Sequence, residues 1–457
     1  MDAYDVIIIG SGTSGQTAAF DLNEKGVKVA VVEGSDRPGG TCALTGCQPK
    51  KWFYEAAEAI AKARHLEGKG IVSAPEGAWN QVLEQKKQFT DGIPQGTIEN
   101  LQKVGIDLIA GTATFTDEKT LSVNGERLGA KFFILATGAK PMQLPIDGIE
   151  HVITSDEFLD LNRLPDSIIF IGGGFISFEF AHFAARLGSN TQKSIILEVS
   201  DRPLGPFDAE MVELLVAASE AEGIDVRSGV DIEAVEKSDK GFAVRTGQGD
   251  SFEAGLVVHG AGRVPDVENL ELNAAGIKYS KRGIAVDQAM KTSNPVVFAV
   301  GDCAATIQLA RVADNEAHVA ADNVLAELGL GRKARMDYRF VPTTLFTYPQ
   351  FGMVGQTEAA LKKDGQTYQK SFAKNLAWPT YQRVGLKDAA YKILADGDGQ
   401  ILGAHFLSDH ASGMLNTIKQ AMLNQTTVSE LYRQSIVSPY PTRESDLSYM
   451  LKPLLAD

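Results

Sequence analysis

Cysteine, basic charge and long apolar runs are all scarce in this chain. Only three cysteines, Cys42, Cys47 and Cys303, occur in 457 residues. Lysine and arginine number 44 against 58 acidic residues, a formal charge of -14. That balance, with no clustered basic tract, argues against nucleic acid and disfavours an anionic membrane surface. No apolar run approaches the ~18 residues that cross a bilayer, and the first strand, Tyr4 to Ile9, has no basic leader or cleavage site ahead of it. The expectation is a cytoplasmic protein with no membrane partner. In a reducing compartment a structural disulfide is unusual, so a close cysteine pair reads as catalytic or redox-sensing.

Such a pair is present. Cys42 and Cys47 lie in GGTCALTGCQPKK. Residues five apart on an ideal helix have Cα atoms ~8–9 Å apart, whereas a disulfide needs about 4.4–6.8 Å. If the two bridge, the helix there begins late or is distorted, and Gly39, Gly40 and Gly46 supply the freedom. Cys303 has no cysteine near it in sequence and reads as a small buried hydrophobe.

The opening, DVIIIGSGTSGQTAAFDLNEKGVKVAVVEG, sets an apolar strand before Gly10, Gly12 and Gly15, then a helix, a second strand and Glu33. This is the layout of a dinucleotide site. Gly10 makes the tight turn, Gly12 lets the backbone approach a pyrophosphate, Gly15 lets helix and strand pack closely, and Glu33 accepts from ribose hydroxyls. The pattern returns at SIIFIGGGFISFEFAHFAARLG with Gly172 and Gly174, Ser177 in the third position, and Glu198 closing the next strand. An acid there favours a free 2′-hydroxyl, hence NADH over NADPH. The turn Ser189 to Lys193 is longer than usual and leaves Lys193 or Arg202 as alternative partners for a phosphate. Two dinucleotides beside a cysteine pair imply electrons passing between cofactors and on to sulfur, with a flavin as intermediary.

From end to end the chain resembles the flavoprotein disulfide reductases, the group of dihydrolipoamide dehydrogenase, glutathione reductase and mercuric reductase. The blocks that carry the resemblance are GSGTSG with Glu33, GGTCALTGCQPKK, FILATGAKP, GGGFISFE, GAGRVPD, VFAVGDCA and VPTTLFTYPQFGMVG. It implies an α/β fold with two Rossmann-like dinucleotide-binding domains and a carboxy-terminal α+β domain that forms a homodimer. FAD would lie in the first unit, near Gly40, Thr41, Thr137, Gly138, Gly262, Arg263, Gly301 and Asp302, with Asp302 on the ribityl chain. Cys47 would be the thiolate nearest the flavin, and Cys42 would exchange with substrate. Lys51 or Lys50 would stand near the flavin N5, Glu179 would pair with that lysine, and Phe175 would gate the nicotinamide pocket.

The resemblance fails at the carboxy terminus. The best-studied disulfide reductases end in a HPTxxE signature whose His and Glu serve thiol exchange on the partner subunit's cysteines, whereas this chain has SPYPTRESD, and mercuric reductase also has a Tyr near this place. Tyr440 stands in place of the His and Ser445 in place of the Glu, with Glu444 one residue early. An unperturbed tyrosine titrates near 10 and is a poor base at neutral pH, although it can donate a hydrogen bond or ligate a metal ion. His405 reads as a strand residue, and core or surface roles are expected for both His405 and His410. No second cysteine pair and no resident metal site are expected. The domain reading is 1–148 with 265–335 for FAD, 149–264 for NAD(P)H and 336–457 for the dimer interface, with a polar helical stretch from Gly68 to Asn100. The function expected is electron transfer from nicotinamide through FAD to Cys42 and Cys47 and on to a small-molecule or protein disulfide. The alternatives are a metal-ion or quinone reductase on the same scaffold, and a redox sensor with vestigial catalysis.

Overall fold

The computed structural model describes residues 4–188 and 193–455. The chain separates into two compact units, one built from Met1–Trp52, Leu83–Gln143 and Gly262–Asp337, the other from Phe53–Val82, Leu144–Ala261 and Tyr338–Asp457.

The first unit is organised by a seven-stranded sheet. Its strand Tyr4–Ile9 is a β-branched run whose last four residues are almost fully buried, as a parallel strand covered on both faces requires. It pairs in parallel with Val29–Glu33 on one side and Glu126–Leu135 on the other, and Asp107–Ala110 lies beyond Val29–Glu33. Val297–Ala299 joins Glu126–Leu135 in parallel, and the hairpin Ala113–Asp117 with Thr120–Val123 joins it antiparallel. The helix Thr13–Glu24 buries Ser14, Gly15, Ala18, Ala19 and Leu22 and packs against the helix Ala310–Glu327. Small residues at these positions let both helices lie close to the sheet.

In the second unit a five-stranded parallel sheet runs in the order Ile224–Arg227, Lys193–Leu197, Ser167–Ile171, Leu256–His259, Val152–Ile153. The helix Phe175–Leu187 that follows its central strand is buried nearly all round, its polar residues Glu179, His182 and Arg186 included. A five-stranded antiparallel sheet, Thr343–Leu345, Gln350–Gly355, Ile401–Ser408, Ala390–Ala395 and Gln369–Lys374, carries the helices Ala411–Leu423, Val428–Ile436 and Leu447–Leu451. Its core gathers Phe406, Met414, Leu415, Ile418 and Met450. The architecture is thus mixed α/β with two Rossmann-like sheets and a carboxy-terminal α+β region.

The polar helical stretch expected from Gly68 to Asn100 is divided. Residues 68–78 form turns and extended loop, and helices occupy Trp79–Thr90 and Ile93–Lys103. Trp79 explains the late start, because it is buried against Phe53 and donates its indole N–H to the Leu161 carbonyl at 2.7 Å. The long turn before Lys193 falls at residues 189–192, outside the described residues.

Candidate functional site

In the first unit, the strand ending at Ile9 turns at Gly10, whose φ is +106° and whose missing side chain would strike the Ala136 carbonyl at 2.3 Å. The helix Thr13–Glu24 starts at Gly12 with no side-chain cap, so its first N–H groups are left for an anion. Gly40, at φ +75°, crosses so near that a Cβ there would lie 2.4 Å from Gly12 Cα. Glu33 is fixed rather than free. One carboxylate oxygen accepts from Ser11 N at 2.9 Å and the other from Ser35 N at 2.8 Å.

The two cysteines flank a break between helices. One helix covers Gly40–Leu44, Thr45 leaves helical geometry at φ -138°, and a new helix runs Cys47–His65. The distortion that a CxxxxC pair requires is therefore present, and Gly46 is needed there because a Cβ would meet the Thr41 carbonyl at 2.9 Å. Both thiols are free and half-buried, and they share a hydrogen bond. The contact raises the Cys42 thiol, helped by burial and by the charge on Cys47. It lowers Cys47, with burial and Asp302 opposing and the charges of Lys50 and Lys51 assisting. The contact and the two lysines favour a thiolate within the pair, on the side of Cys47. Asp302 is raised by burial while Arg263 acts the other way, and Arg263 in turn reaches the Ala139 carbonyl at 2.6 Å. Thr137 and Gly138 lie on the crossover, where Ala139–Pro141 pairs with Arg263–Pro265. Cys303 is wholly buried within reach of the Leu135 and Val300 carbonyls, both at 3.3 Å, and burial pushes its thiol up to about 11.

The second unit repeats the dinucleotide pattern. Gly172, at φ +96°, has no room for a Cβ against Ala261, and Gly174 precedes the helix Phe175–Leu187 without a side-chain cap. Ser177 fits in the third glycine position because Gly260 faces it, and a Cβ on Gly260 would fall 1.9 Å from the Ser177 hydroxyl. Glu198 repeats the anchoring of Glu33, accepting from Gly173 N at 2.5 Å and Ser200 N at 2.7 Å. The Arg202 guanidinium is engaged by the carbonyls of Leu204, Gly205 and Phe207. Lys193 is exposed at the start of its strand. Phe175 is 49% exposed at the mouth of the helix, whereas Glu179 is buried and accepts from Phe346 N at 2.9 Å.

At the carboxy terminus Tyr440 is 74% exposed, next to a cis Tyr440–Pro441 bond. Ser445 closes the turn on Thr442, accepting from its N–H at 3.1 Å and donating to its carbonyl at 2.7 Å. Glu444 points elsewhere, to His410, with Nε2 and Oε1 2.9 Å apart. His405 is a core strand residue, held down to about 4 by burial.

Residues 4–317 match the family model described as pyridine nucleotide-disulphide oxidoreductase, and residues 341–448 match its dimerisation domain. The chain belongs to this family. Among relatives, it is 32% identical to the mercuric reductase of Staphylococcus aureus over 97% of this chain and 81% of that protein. It is also 32% identical to the dihydrolipoyl dehydrogenase of Thermus scotoductus, covering 98% and 96%. The solved HOCl-induced flavoprotein disulfide reductase RclA from Escherichia coli superposes with a TM-score of 0.87 at 25% identity, covering 99% of this chain and all of that one.

As an FAD-dependent pyridine nucleotide-disulfide oxidoreductase, the chain should show a seat for FAD, and the first unit fits. At the Gly12–Gly40 crossing two backbones meet with no room for a Cβ on Gly40, the helix after Gly12 opens with uncapped N–H groups, and Glu33 is aimed by two N–H groups. FAD, when bound there, supplies the two-electron link between nicotinamide and sulfur. Sequence reasoning missed two features. Glu316, fully buried on the helix Ala310–Glu327, accepts from Gly301 N at 2.7 Å and so fixes the turn that carries Asp302. The His410–Glu444 pair is the second. Among the described residues no group of three or more His, Cys, Asp or Glu is arranged to hold a metal ion, and no helix is long and apolar enough to cross a membrane.

Proposed function

We propose that this protein takes electrons from NADH through FAD into the Cys42–Cys47 pair and passes them, as a dithiol, to a small-molecule or protein disulfide. The observation that carries this reading is the pair of free cysteines in contact across the helix break at Thr45, with the charges of Lys50, Lys51 and Asp302 acting on Cys47. In this reading Cys42 exchanges with the acceptor, and a thiolate on Cys47 is the species that then attacks the mixed disulfide and closes the pair. In this scheme residues 1–148 and 265–335 hold FAD, 149–264 hold the nicotinamide cofactor, and 336–457 join two copies as a homodimer in the cytoplasm. Phe175 and Glu179 are assigned to the nicotinamide cofactor, and Lys51 or Lys50 to the flavin.

The preference for NADH rests on Glu198. Its carboxylate is anchored at the strand end, and the nearby Arg202 already serves three carbonyls. A 2′-phosphate would meet a fixed negative charge, with the Arg202 guanidinium already committed to carbonyls. About 1.4 kcal/mol of such disadvantage is tenfold in rate.

A metal-ion acceptor is the second reading, supported by relatives named mercuric reductase and by RclA having been solved as a Cu(II) complex at a TM-score of 0.88. Exposed Tyr440 would then present a phenolic oxygen rather than an acid-base group. Stopped-flow mixing with NADH is expected to give a thiolate-to-flavin charge-transfer band, and kcat/KM for NADH is expected to exceed that for NADPH about tenfold or more. Bleaching of the flavin without that band refutes the dithiol route, and equal use of the two cofactors refutes the role of Glu198. Turnover with Cu(II) or Hg(II) but with no disulfide would select the second reading.

A further inference from the structure

The seven histidines of this chain have very different settings. His182, His259 and His405 are buried, His65 is half-buried against Tyr348, and His151 lies 3.8 Å from Glu150. His318 pairs with Asp21 on the surface of the first unit. His410 joins a carboxylate from a distant segment of the carboxy-terminal region, with side-chain exposures of 52% for the imidazole and 30% for Glu444. Both groups are within reach of solvent and of a docked molecule.

The pairing is built, not incidental. The residue before each member is clamped to the other's predecessor, since Arg443 donates to Asp409 through Nε at 2.6 Å and through a second nitrogen at 2.8 Å. That guanidinium also stacks 3.9 Å over the ring of buried Tyr381. A two-point fork of this kind fixes direction as well as distance. His410 and Glu444, the next residue along each segment, are thereby brought face to face. Space for the ring comes from Gly413, where a Cβ would lie 2.2 Å from His410 Nε2. Gly413 sits in the first turn of the helix Ala411–Leu423, at ordinary φ, where alanine would favour the helix by about 1 kcal/mol. Glycine at this position makes sense if the ring must be there.

We propose that His410, oriented by Glu444, is the acid-base group of thiol exchange in this protein, with Gly413, Asp409 and Arg443 as positioning residues. The proposal rests on the dithiol reading above. Because the pair lies in residues matched to a dimerisation domain, it is assigned to the cysteines of a second copy of the chain. In the reduced state the exchanging thiol, Cys42, attacks an acceptor RSSR. Its proton passes to the imidazole as the new S–S bond forms and the acceptor S–S bond breaks. The departing RS⁻ takes that proton from the imidazolium and leaves as RSH. The Cys47 thiolate then attacks the Cys42 sulfur, closes the pair and releases the second RS⁻, which leaves as RSH with a proton drawn from solvent through the same imidazole. Two electrons leave the dithiol and both reach the acceptor.

The test uses leaving groups of different basicity on the flavin-loaded holoenzyme. Reduced wild type, His410→Gln, Glu444→Gln and Gly413→Ala are mixed with 2-hydroxyethyl disulfide, whose thiolate is a poor leaving group, and with 5,5′-dithiobis(2-nitrobenzoate), whose thiolate leaves unaided. General acid-base assistance contributes about 10²–10⁴-fold. Loss of the base slows attack on both acceptors while loss of the acid slows only the first, so His410→Gln is expected to slow reduction of the first acceptor about a hundredfold and that of the second at least about tenfold less. Glu444→Gln and Gly413→Ala should show the same selective loss in smaller degree, and Gly413→Ala should be no less stable to heat than wild type. Equal slowing with both acceptors, or slowing with neither, overturns the proposal. Selective loss in His410→Gln that Gly413→Ala does not share overturns the role of Gly413. Failure of the wild type to reduce either disulfide, despite forming the charge-transfer band on addition of NADH, refutes instead the disulfide-acceptor reading on which the proposal rests.

Discussion

Replacing Cys42 by alanine should raise the titration of Cys47 by an amount that the structure bounds. Cys47 is brought from the ordinary 9.0 to about 6, and the hydrogen bond from Cys42 is the largest cause. Burial opposes it, Lys50 and Lys51 assist, and Asp302 acts against them. A hydrogen bond to a charged acceptor is worth about 1.5–3 kcal/mol, and about 1.36 kcal/mol corresponds to one pKa unit. Cys47 in Cys42→Ala should therefore titrate about one to two units higher, at about 7 to 8. The sign follows from the depressed value. The thiolate predominates above its pKa and is lost as pH falls through it, so the variant loses it nearer neutrality. Half a unit above the native value, about 76% of Cys47 is thiolate in the wild type, against about 24% to about 3% in the variant. The pH dependence of alkylation by iodoacetamide, followed at the Cys47 peptide in the reduced protein, measures this directly. Serine at position 42 can still donate and should restore part of the shift. An unchanged midpoint in Cys42→Ala would show that the lysines, not the thiol, hold the thiolate, and the assignment of Cys42 as donor would fall.

Gly40→Ala places a methyl group 2.4 Å from Gly12 Cα at a φ of +75°, so the protein should purify with most of its flavin missing, and a full flavin-to-protein ratio would refute the cradle. Lys392 is 1% exposed and lies 2.6, 2.8 and 3.0 Å from Asp208, Glu210 and Glu358. Lys392→Met leaves those carboxylates without their shared cation and should cost about 3–5 kcal/mol, read as a lower urea midpoint for the second unit; an unchanged midpoint would show that the carboxylates relax into water.

What the sequence could reveal depended on how far apart the cooperating residues lie along the chain. Glu33 and Glu198 were legible because a dinucleotide unit places glycines and acid within one strand-helix-strand span, and the structure adds that each carboxylate is held by two backbone N–H groups. The awkward spacing of Cys42 and Cys47 already required a helix break, and the break falls at Thr45. Glu316 was hidden because its acceptor role toward Gly301 looks, in sequence, like any acid on an alanine-rich helix. The stretch after Gly68 read as helical because polarity alone does not separate a loop from a solvated helix.

His410 and Glu444 show the limit most clearly. They are 34 positions apart, and their meeting depends on an intermediate fork between Asp409 and Arg443 that no local pattern encodes. Tyr440 drew attention because it replaces an expected histidine at one position, yet position in a motif and position in space need not coincide when two loops are tied together. A clue was nonetheless present in the run HASG. A glycine in the first turn of a helix gives up about 1 kcal/mol against alanine unless something must approach closely, and here what approaches is the His410 ring, 2.2 Å from where a Cβ would stand. Loss of the expected histidine therefore need not mean loss of the acid-base function, because the fold supplies a second loop from which an imidazole can be delivered.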